Sequence, residues 1–174
     1  MTFEIRSDIT NRSMAIASRA MRRVLRRKRN IIWAIYGWSV FFINALLLIP
    51  FDGEPFTLDA STVISLLVEV MLLSALLFQD RFNGMIACKN TLAGTKDYHI
   101  VFGEEFYTVV TEVATSTFRY ELIDAMAESQ DYMILLMKKR FAQPLDKRTL
   151  TGGTVEECKR FLEEKTGKEF RRVK

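Results

Sequence analysis

Two stretches of the chain are apolar almost without interruption. Residues 31–51 read IIWAIYGWSVFFINALLLIPF, 21 residues without a charge, and a helix needs about 20 to cross the hydrocarbon of a bilayer. Residues 58–78 read LDASTVISLLVEVMLLSALLF, with Asp59 near the entrance and Glu69 at the centre. The pattern predicts two transmembrane helices. Only Asp52–Thr57 lie between them, and Gly53 and Pro55 are turn formers. So short a link makes the helices an antiparallel hairpin.

The pattern changes on either side of this hairpin. Before it, Met14, Ala17, Met21 and Val24/Leu25 recur at helical spacing among arginines, which predicts a basic amphipathic helix. Ahead of that helix, Phe3 and Ile5 alternate with Glu4 and Arg6 as in a short edge strand. After Phe78 the second helix is expected to continue to about Leu92, with Gly94 as its stop. Period-two alternation then takes over. It predicts strands at Tyr98–Phe102, Phe106–Glu112, Thr115–Tyr120, Leu122–Ala127, Asp131–Lys138 and Phe141–Leu145, the last an edge strand because it holds Pro144. Thr154 and Glu157 fit a capping box opening a final helix whose apolar face is Val155, Cys158, Phe161 and Leu162, with Gly167 as its stop. The fold class is therefore an α+β membrane protein. A two-helix transmembrane hairpin (31–51 and 58–78, within a segment 31–92) carries a cytosolic antiparallel β half-barrel at 93–174 closed by a C-terminal helix. Residues 1–30 form a separate strand and helix.

Charge sets the orientation. Residues 1–30 hold nine Lys/Arg against two acids, and residues 31–79 hold none. Arg22, Arg23, Arg26, Arg27, Lys28 and Arg29 stand just before the first apolar run, while Arg81 and Lys89 follow the second. The positive-inside rule places the connecting loop outside and both termini in the cytoplasm. The six bases are expected to meet an anionic inner leaflet, each contributing on the order of 1 kcal/mol. The basic helix itself could serve topology and anchoring, hold a specific anionic lipid, or pack on the cytosolic domain. Residues 80–174 are nearly balanced, with sixteen bases and fifteen acids, so no basic stripe suggests nucleic acid as a partner.

Polar residues interrupt the second run at Thr62, Ser65 and Glu69, spaced three and four apart and therefore on one helical face. An ionised carboxylate at mid-bilayer costs roughly 2.5–3.5 kcal/mol or more. If the hairpin is symmetric, Asn44 of the first run is level with Ser65, and Ser39 is close to the depth of Glu69. Asn44, Thr62, Ser65 and Glu69 thus form an intramembrane polar seam. It either fastens the hairpin or a homo-oligomer, or forms part of an ion path or ligand site.

The cytosolic stretches Phe118–Glu128 (FRYELIDAMAE), Asp131–Leu136 (DYMILL) and Ala142–Lys147 (AQPLDK), together with the F-x-I strand, the arm and the two spans, resemble the YcxB-like family of bacterial membrane proteins. The resemblance implies a pleckstrin-homology-like cytosolic domain and brings no established activity. Pro144 departs from the aliphatic residue usual before Lys147.

Recognisable reaction chemistry is missing from the sequence. His99 is the only histidine, and Cys88 and Cys158 have neither metal nor redox spacing. No phosphate-binding loop or nucleophile elbow is present. No enzyme activity, metal or cofactor is therefore expected. Lys138, Lys139, Arg140, Lys147 and Arg148 cluster at successive turns and could make a basic patch. Two functions remain open. One is a membrane-anchored binding or scaffolding module that recognises a protein or lipid. The other is a subunit of an oligomeric transporter or channel using Glu69.

Overall fold

The computed structural model describes residues 2–47, 60–137 and 141–173. Eight strands and four helices follow one another as β1 (Phe3–Asp8), α1 (Asn11–Val24), α2 (Arg27–Leu47), α3 (Ala60–Lys89), β2 (Asp97–Phe102), β3 (Phe106–Thr111), β4 (Thr115–Arg119), β5 (Ile123–Glu128), β6 (Tyr132–Met137), β7 (Phe141–Asp146), α4 (Val155–Thr166) and β8 (Phe170–Arg172). The result is a mixed α/β protein with two packed sheets.

The first sheet has the order β1-β2-β3-β4 and is antiparallel throughout. The second has the order β7-β6-β5-β8; its first three strands are antiparallel, and β8 lies parallel to β5. Alternation decides which side chains enter the space between the sheets. Phe3 and Ile5, Ile100 and Phe102, and Tyr107 and Val109 face inward from the first sheet, and Met126, Met133, Leu135 and Leu145 from the second. At one corner, β1 is tied to β7 by the Asp146 N–H, which donates to Ser7 Oγ at 2.8 Å.

Helix α4 plugs one end of the sandwich. Thr154 caps it: its hydroxyl accepts from the Glu157 N–H, and the Glu157 carboxylate accepts from the Thr154 N–H at 2.8 Å. Cys158 and Leu162 are buried in the core, and Phe161 meets the rings of Phe3 and Tyr120. Gly167 ends the helix in the left-handed region at φ 64°, where a residue without Cβ is at least cost.

β6 is buried along its whole length on both faces. Met133, Leu135 and Met137 point into the sandwich, and Tyr132, Ile134 and Leu136 point the other way, against α1. Ala17, Ala20 and Met21 of α1 supply that second contact. This decides among the roles open to the basic arm: its apolar stripe covers a sheet. Residues 1–30 accordingly share a core with 93–174, because β1 is the edge strand of the first sheet and α1 roofs the second.

Helix α3 runs from Ala60 and ends at Lys89, short of the expected Leu92. Helix α2 starts at Arg27, four residues ahead of the apolar run. Expectations about the loop Asp52–Thr57 lie outside the described residues, as do those about Lys138, Lys139 and Arg140.

Candidate functional site

Three features of the fold bring polar side chains to unusual places. The first is one face of α3. Its buried residues are Glu69, Asp80 and Gly84, and Thr62 and Ser65 are half-buried on the same stripe. The remainder of the helix exposes Val63, Ile64, Leu67, Val70, Met71, Leu77 and Phe78. Polarity is thus reversed relative to a helix folded against a water-soluble core: what α3 buries is polar or small, and what it exposes is apolar.

The lower part of this stripe meets α1. Asp80 accepts from Arg22 Nε at 2.8 Å and from Arg22 Nη2, and Arg19 Nε lies 3.4 Å away. Asp80 is only 7% exposed, so this is a largely desolvated charge pair with its partners in place. One turn on, Gly84 lets the α1 backbone approach so closely that a Cβ there would lie 2.5 Å from Ala15 N. Beyond it, the Cys88 thiol points at the Ile9 carbonyl at 3.5 Å.

The upper part faces α2. Gly37 lies against the side chain of Leu76. Asn44 is the α2 member of the expected seam. Its amide donates to Val40 O of its own helix at 2.9 Å. Neither carboxylate oxygen of Glu69 has a hydrogen-bond partner among the described residues, and the side chain is buried. The seam exists as a face, but it does not close on Asn44.

The second feature is the open end of the sandwich, opposite α4. Here Tyr98, Val109 and Phe118 of the first sheet, Phe141 to Pro144 of β7 and the end of α3 enclose a cavity of about 520 Å³. No charged residue lines it. Phe141, Gln143 and Leu145 share the inward face of β7. Gln143 pairs with Leu135 in register, is 5% exposed, and its Oε1 has no donor among the described residues. An unsatisfied buried acceptor costs about 1–3 kcal/mol. Leu92, Val113 and Phe141 stand exposed beside the mouth. Burial pushes the nearby Tyr98 phenol above its ordinary range, and its hydroxyl donates to Pro144 O.

The third feature is the remains of the expected basic patch. Lys147 donates to Glu128 at 2.6 Å and to Ser129 O, and Arg148 forks onto Asp146. Both are spent on their own domain. Lys159 completes the group on Glu128 at 2.7 Å. Burial pushes the Glu128 carboxyl up, but its two lysine partners outweigh this and hold it below the ordinary range. Of the bases expected to meet an inner leaflet, Arg22 is turned onto Asp80, whereas Arg26 and Arg29 line a cleft beside Trp33. His99 meets Glu4 at 3.1 Å on the outer face of β2. No group of three or more metal-binding side chains occurs among the described residues.

Sequence reasoning passed over Asp80 and Gln143. Asp80 stands at the end of an apolar run within reach of an arginine-rich helix. Gln143 occupies an inward position by simple alternation with Leu145. Both signals were present.

These features define a protein in which a two-sheet sandwich, roofed by one amphipathic helix, is joined to a pair of helices with apolar exteriors. Residues 102–162, from the end of β2 into α4, match the YcxB-like protein family, the family that the sequence resembles. No curated protein matches the chain.

Proposed function

We propose that the protein is a membrane-anchored, non-catalytic binding module of the bacterial inner membrane. In this reading α2 and α3 cross the bilayer as a hairpin, both termini are cytoplasmic, and the sandwich is a pleckstrin-homology-like domain that recognises a partner through its uncharged mouth. The reversed polarity of α3 carries the reading. Each large apolar side chain left in water forgoes about 1.5–3 kcal/mol of burial, and α3 exposes seven of those named above while burying a glutamate and an aspartate. Of the described helices, α3 is long and apolar enough to cross a membrane.

The sheet pairing supports the number of crossings. β1 and β2 are hydrogen-bonded from Phe3↔Phe102 to Asp8↔Asp97, so the chain must cross an even number of times between them. If α3 crosses, α2 supplies the second crossing. The mouth favours a neutral partner with an apolar side chain and an N–H donor, as in a peptide segment. A phosphoinositide-type headgroup would find no cation there, and an acyl chain has no donor for Gln143.

The test is topological. A cysteine placed at Thr57 should react with an impermeant maleimide from outside intact cells, and the protein should resist extraction by alkaline carbonate. Release by carbonate, or labelling only after permeabilisation, overturns the anchor. A photo-crosslinking residue at Phe141 should then trap a protein, and Gln143→Leu should weaken that capture.

A second reading rests on Glu69, whose buried carboxylate has no hydrogen-bond partner among the described residues. Two helices are too few to enclose a pore, so transport requires a symmetric oligomer. Loss of ion flux in Glu69→Leu with assembly unchanged would favour it; loss of assembly would favour a structural seam.

A further inference from the structure

A sheet edge offers a row of backbone N–H and C=O groups to any chain that can reach it, and proteins cover or blunt such rows. Among the described residues, three of the four sheet edges are treated in this way. On β1, Glu4 exchanges backbone hydrogen bonds with Thr151 at 3.1 and 2.9 Å, and the Arg6 N–H donates to Thr149 Oγ1 at 3.2 Å. β7 carries Pro144, which has no N–H, and its Asp146 N–H is taken by Ser7 Oγ. β8 is three residues long and holds Arg171 and Arg172. β4 has no such cover: it pairs with β3 alone, four of its five residues are exposed, and its one charge, Arg119, stands at its end. We propose that β4 receives an extended peptide segment of a partner protein as a fifth strand of the first sheet. The inference rests on the reading of the mouth as the recognition site and deepens it.

Backbone geometry is the first argument. The Thr111 N–H donates to Ala114 O at 2.9 Å and closes the β3–β4 hairpin. Hydrogen-bonded pairs then recur at every second residue, Val109↔Ser116 and Tyr107↔Phe118. Thr108↔Thr117 is an intervening pair, the kind in which side chains come closest, and their hydroxyls are 3.5 Å apart. Thr115 and Thr117 therefore turn both backbone groups away from β3, and Arg119 turns its N–H the same way. An added strand of about five residues reaches from Thr115 to Arg119.

The mouth is the second argument, and it selects the occupant. Ser116 and Phe118, on the inner face of β4, line the cavity of about 520 Å³ at the open end of the sandwich. A strand laid beside β4 points every second side chain to that same face. There it meets an uncharged lining, with Val113 and Phe141 exposed at the rim. The segment is therefore apolar at alternate positions, and main-chain hydrogen bonds supply the rest of its recognition. A second copy of this chain fits less well. Its own β4 brings Ser116 and a Phe118 already stacked on Tyr107, with ring centroids 5.4 Å apart, and leaves the cavity unfilled.

The probe is a displayed library of random peptides, selected on the full chain in mild detergent. Selected peptides should share apolar residues two positions apart, and a photo-crosslinking residue at Phe141 should capture them. On wild type, N-methylation of alternate peptide nitrogens should lower affinity about tenfold or more, because it removes donors to β4. Methylation of the intervening nitrogens should change affinity about twofold or less. Thr117→Pro deletes an outward N–H at an edge position, where proline is tolerated, and should cost about tenfold or more; Thr117→Val should bind as wild type does. If Thr117→Pro fails to fold, the methylation pattern on wild type decides alone. Methylation effects without alternation overturn strand addition, and capture at Phe141 then leaves the mouth reading standing. No enriched peptide, or none captured at Phe141, refutes the mouth reading and this inference with it. A dimer of the chain that Thr117→Pro dissolves, with no peptide bound, gives the edge to a second copy and also overturns the proposal.

Discussion

Gly84→Ala sets two effects of opposite sign against each other. In a solvated or lipid-facing helix, alanine stabilises relative to glycine by about 0.8–1.0 kcal/mol. At Gly84 the added Cβ would stand 2.5 Å from Ala15 N, 2.7 Å from Ala15 Cα and 2.9 Å from Met14 C. All three are backbone atoms, so no side-chain rotation relieves the clash. Helix α1 would have to withdraw by about 1 Å to restore ordinary contact. It is not free to do so, because Ala17, Ala20 and Met21 are buried against Ala127, Ile134 and Leu136 on its other side. Overpacking of this kind costs about 1–3 kcal/mol, and three backbone contacts under 3.0 Å put it in the upper half of that range. Packing should therefore exceed propensity, with a net loss of about 1–2 kcal/mol for alanine and a larger loss for leucine. Thermal or denaturant unfolding of the detergent-solubilised chain reads the difference. The same withdrawal should loosen the pairing of Arg22 with Asp80, so limited proteolysis near Leu25 should accelerate. A Gly84→Ala protein as stable as wild type, or more so, would refute the close approach of α1 to α3.

Three further outcomes follow from the contacts. Asp80→Ala removes the carboxylate shared by Arg19 and Arg22; hydrogen bonds to charged groups contribute about 1.5–3 kcal/mol, and a double-mutant cycle with Arg22→Ala should return a coupling of about 1 kcal/mol or more, whereas additive losses would show that the pair is idle. Glu128 and Asp146 are held below the ordinary carboxyl range, the first by Lys147 and Lys159 against its burial, the second chiefly by Arg148. Stability from a depressed carboxyl is present above its unfolded value and lost as pH falls through the folded one, so the melting temperature should hold near neutrality and decline below about pH 4.5. Glu128→Gln should make that decline shallower, and an unchanged acid limb would count against the lysine cluster. Burial pushes the Cys158 thiol up to about 12, so a maleimide at neutral pH should modify the half-buried Cys88 first and reach Cys158 only after unfolding; equal rates on the folded protein would contradict the packing of α4.

Most strands could be read from the sequence because both faces of the sheets obey alternation. Tyr98, Ile100 and Phe102 fall on one side of β2, and the two sets of three in β6 fall on opposite sides. The caps of α4 were equally legible, since Thr154, Glu157 and Gly167 are local signals. What periodicity could not supply was the body that each face meets. The stripe Met14, Ala17, Met21 has the same spacing whether it lies on lipid or on a sheet. Only the small side chains of Ala17 and Ala20, which allow close approach, favoured the sheet. Thr62, Ser65 and Glu69 recur at helical spacing and fall on the less exposed stripe of α3, but spacing alone does not say what Glu69 meets there. β8 is three residues long, too short for any period to emerge. Gln143 was overlooked because a polar residue in a strand is read outward by default, and here its neighbours Phe141 and Leu145 fix it inward.

The pairing of β1 with β2 also governs the order of synthesis. β1 emerges from the ribosome with its partner still some ninety residues away, several seconds to tens of seconds at ordinary translation rates. During that interval β1 and α1 wait without the sheets they complete. Closing a flexible loop of that length is entropically costly, but a formed hairpin brings its two ends side by side and removes most of the search. In the proposed topology, insertion of that hairpin precedes closure of the sandwich. A fragment begun after the second apolar stretch would lack both the edge strand of one sheet and the roof of the other, so residues 93–174 are not a part that can be cut away intact.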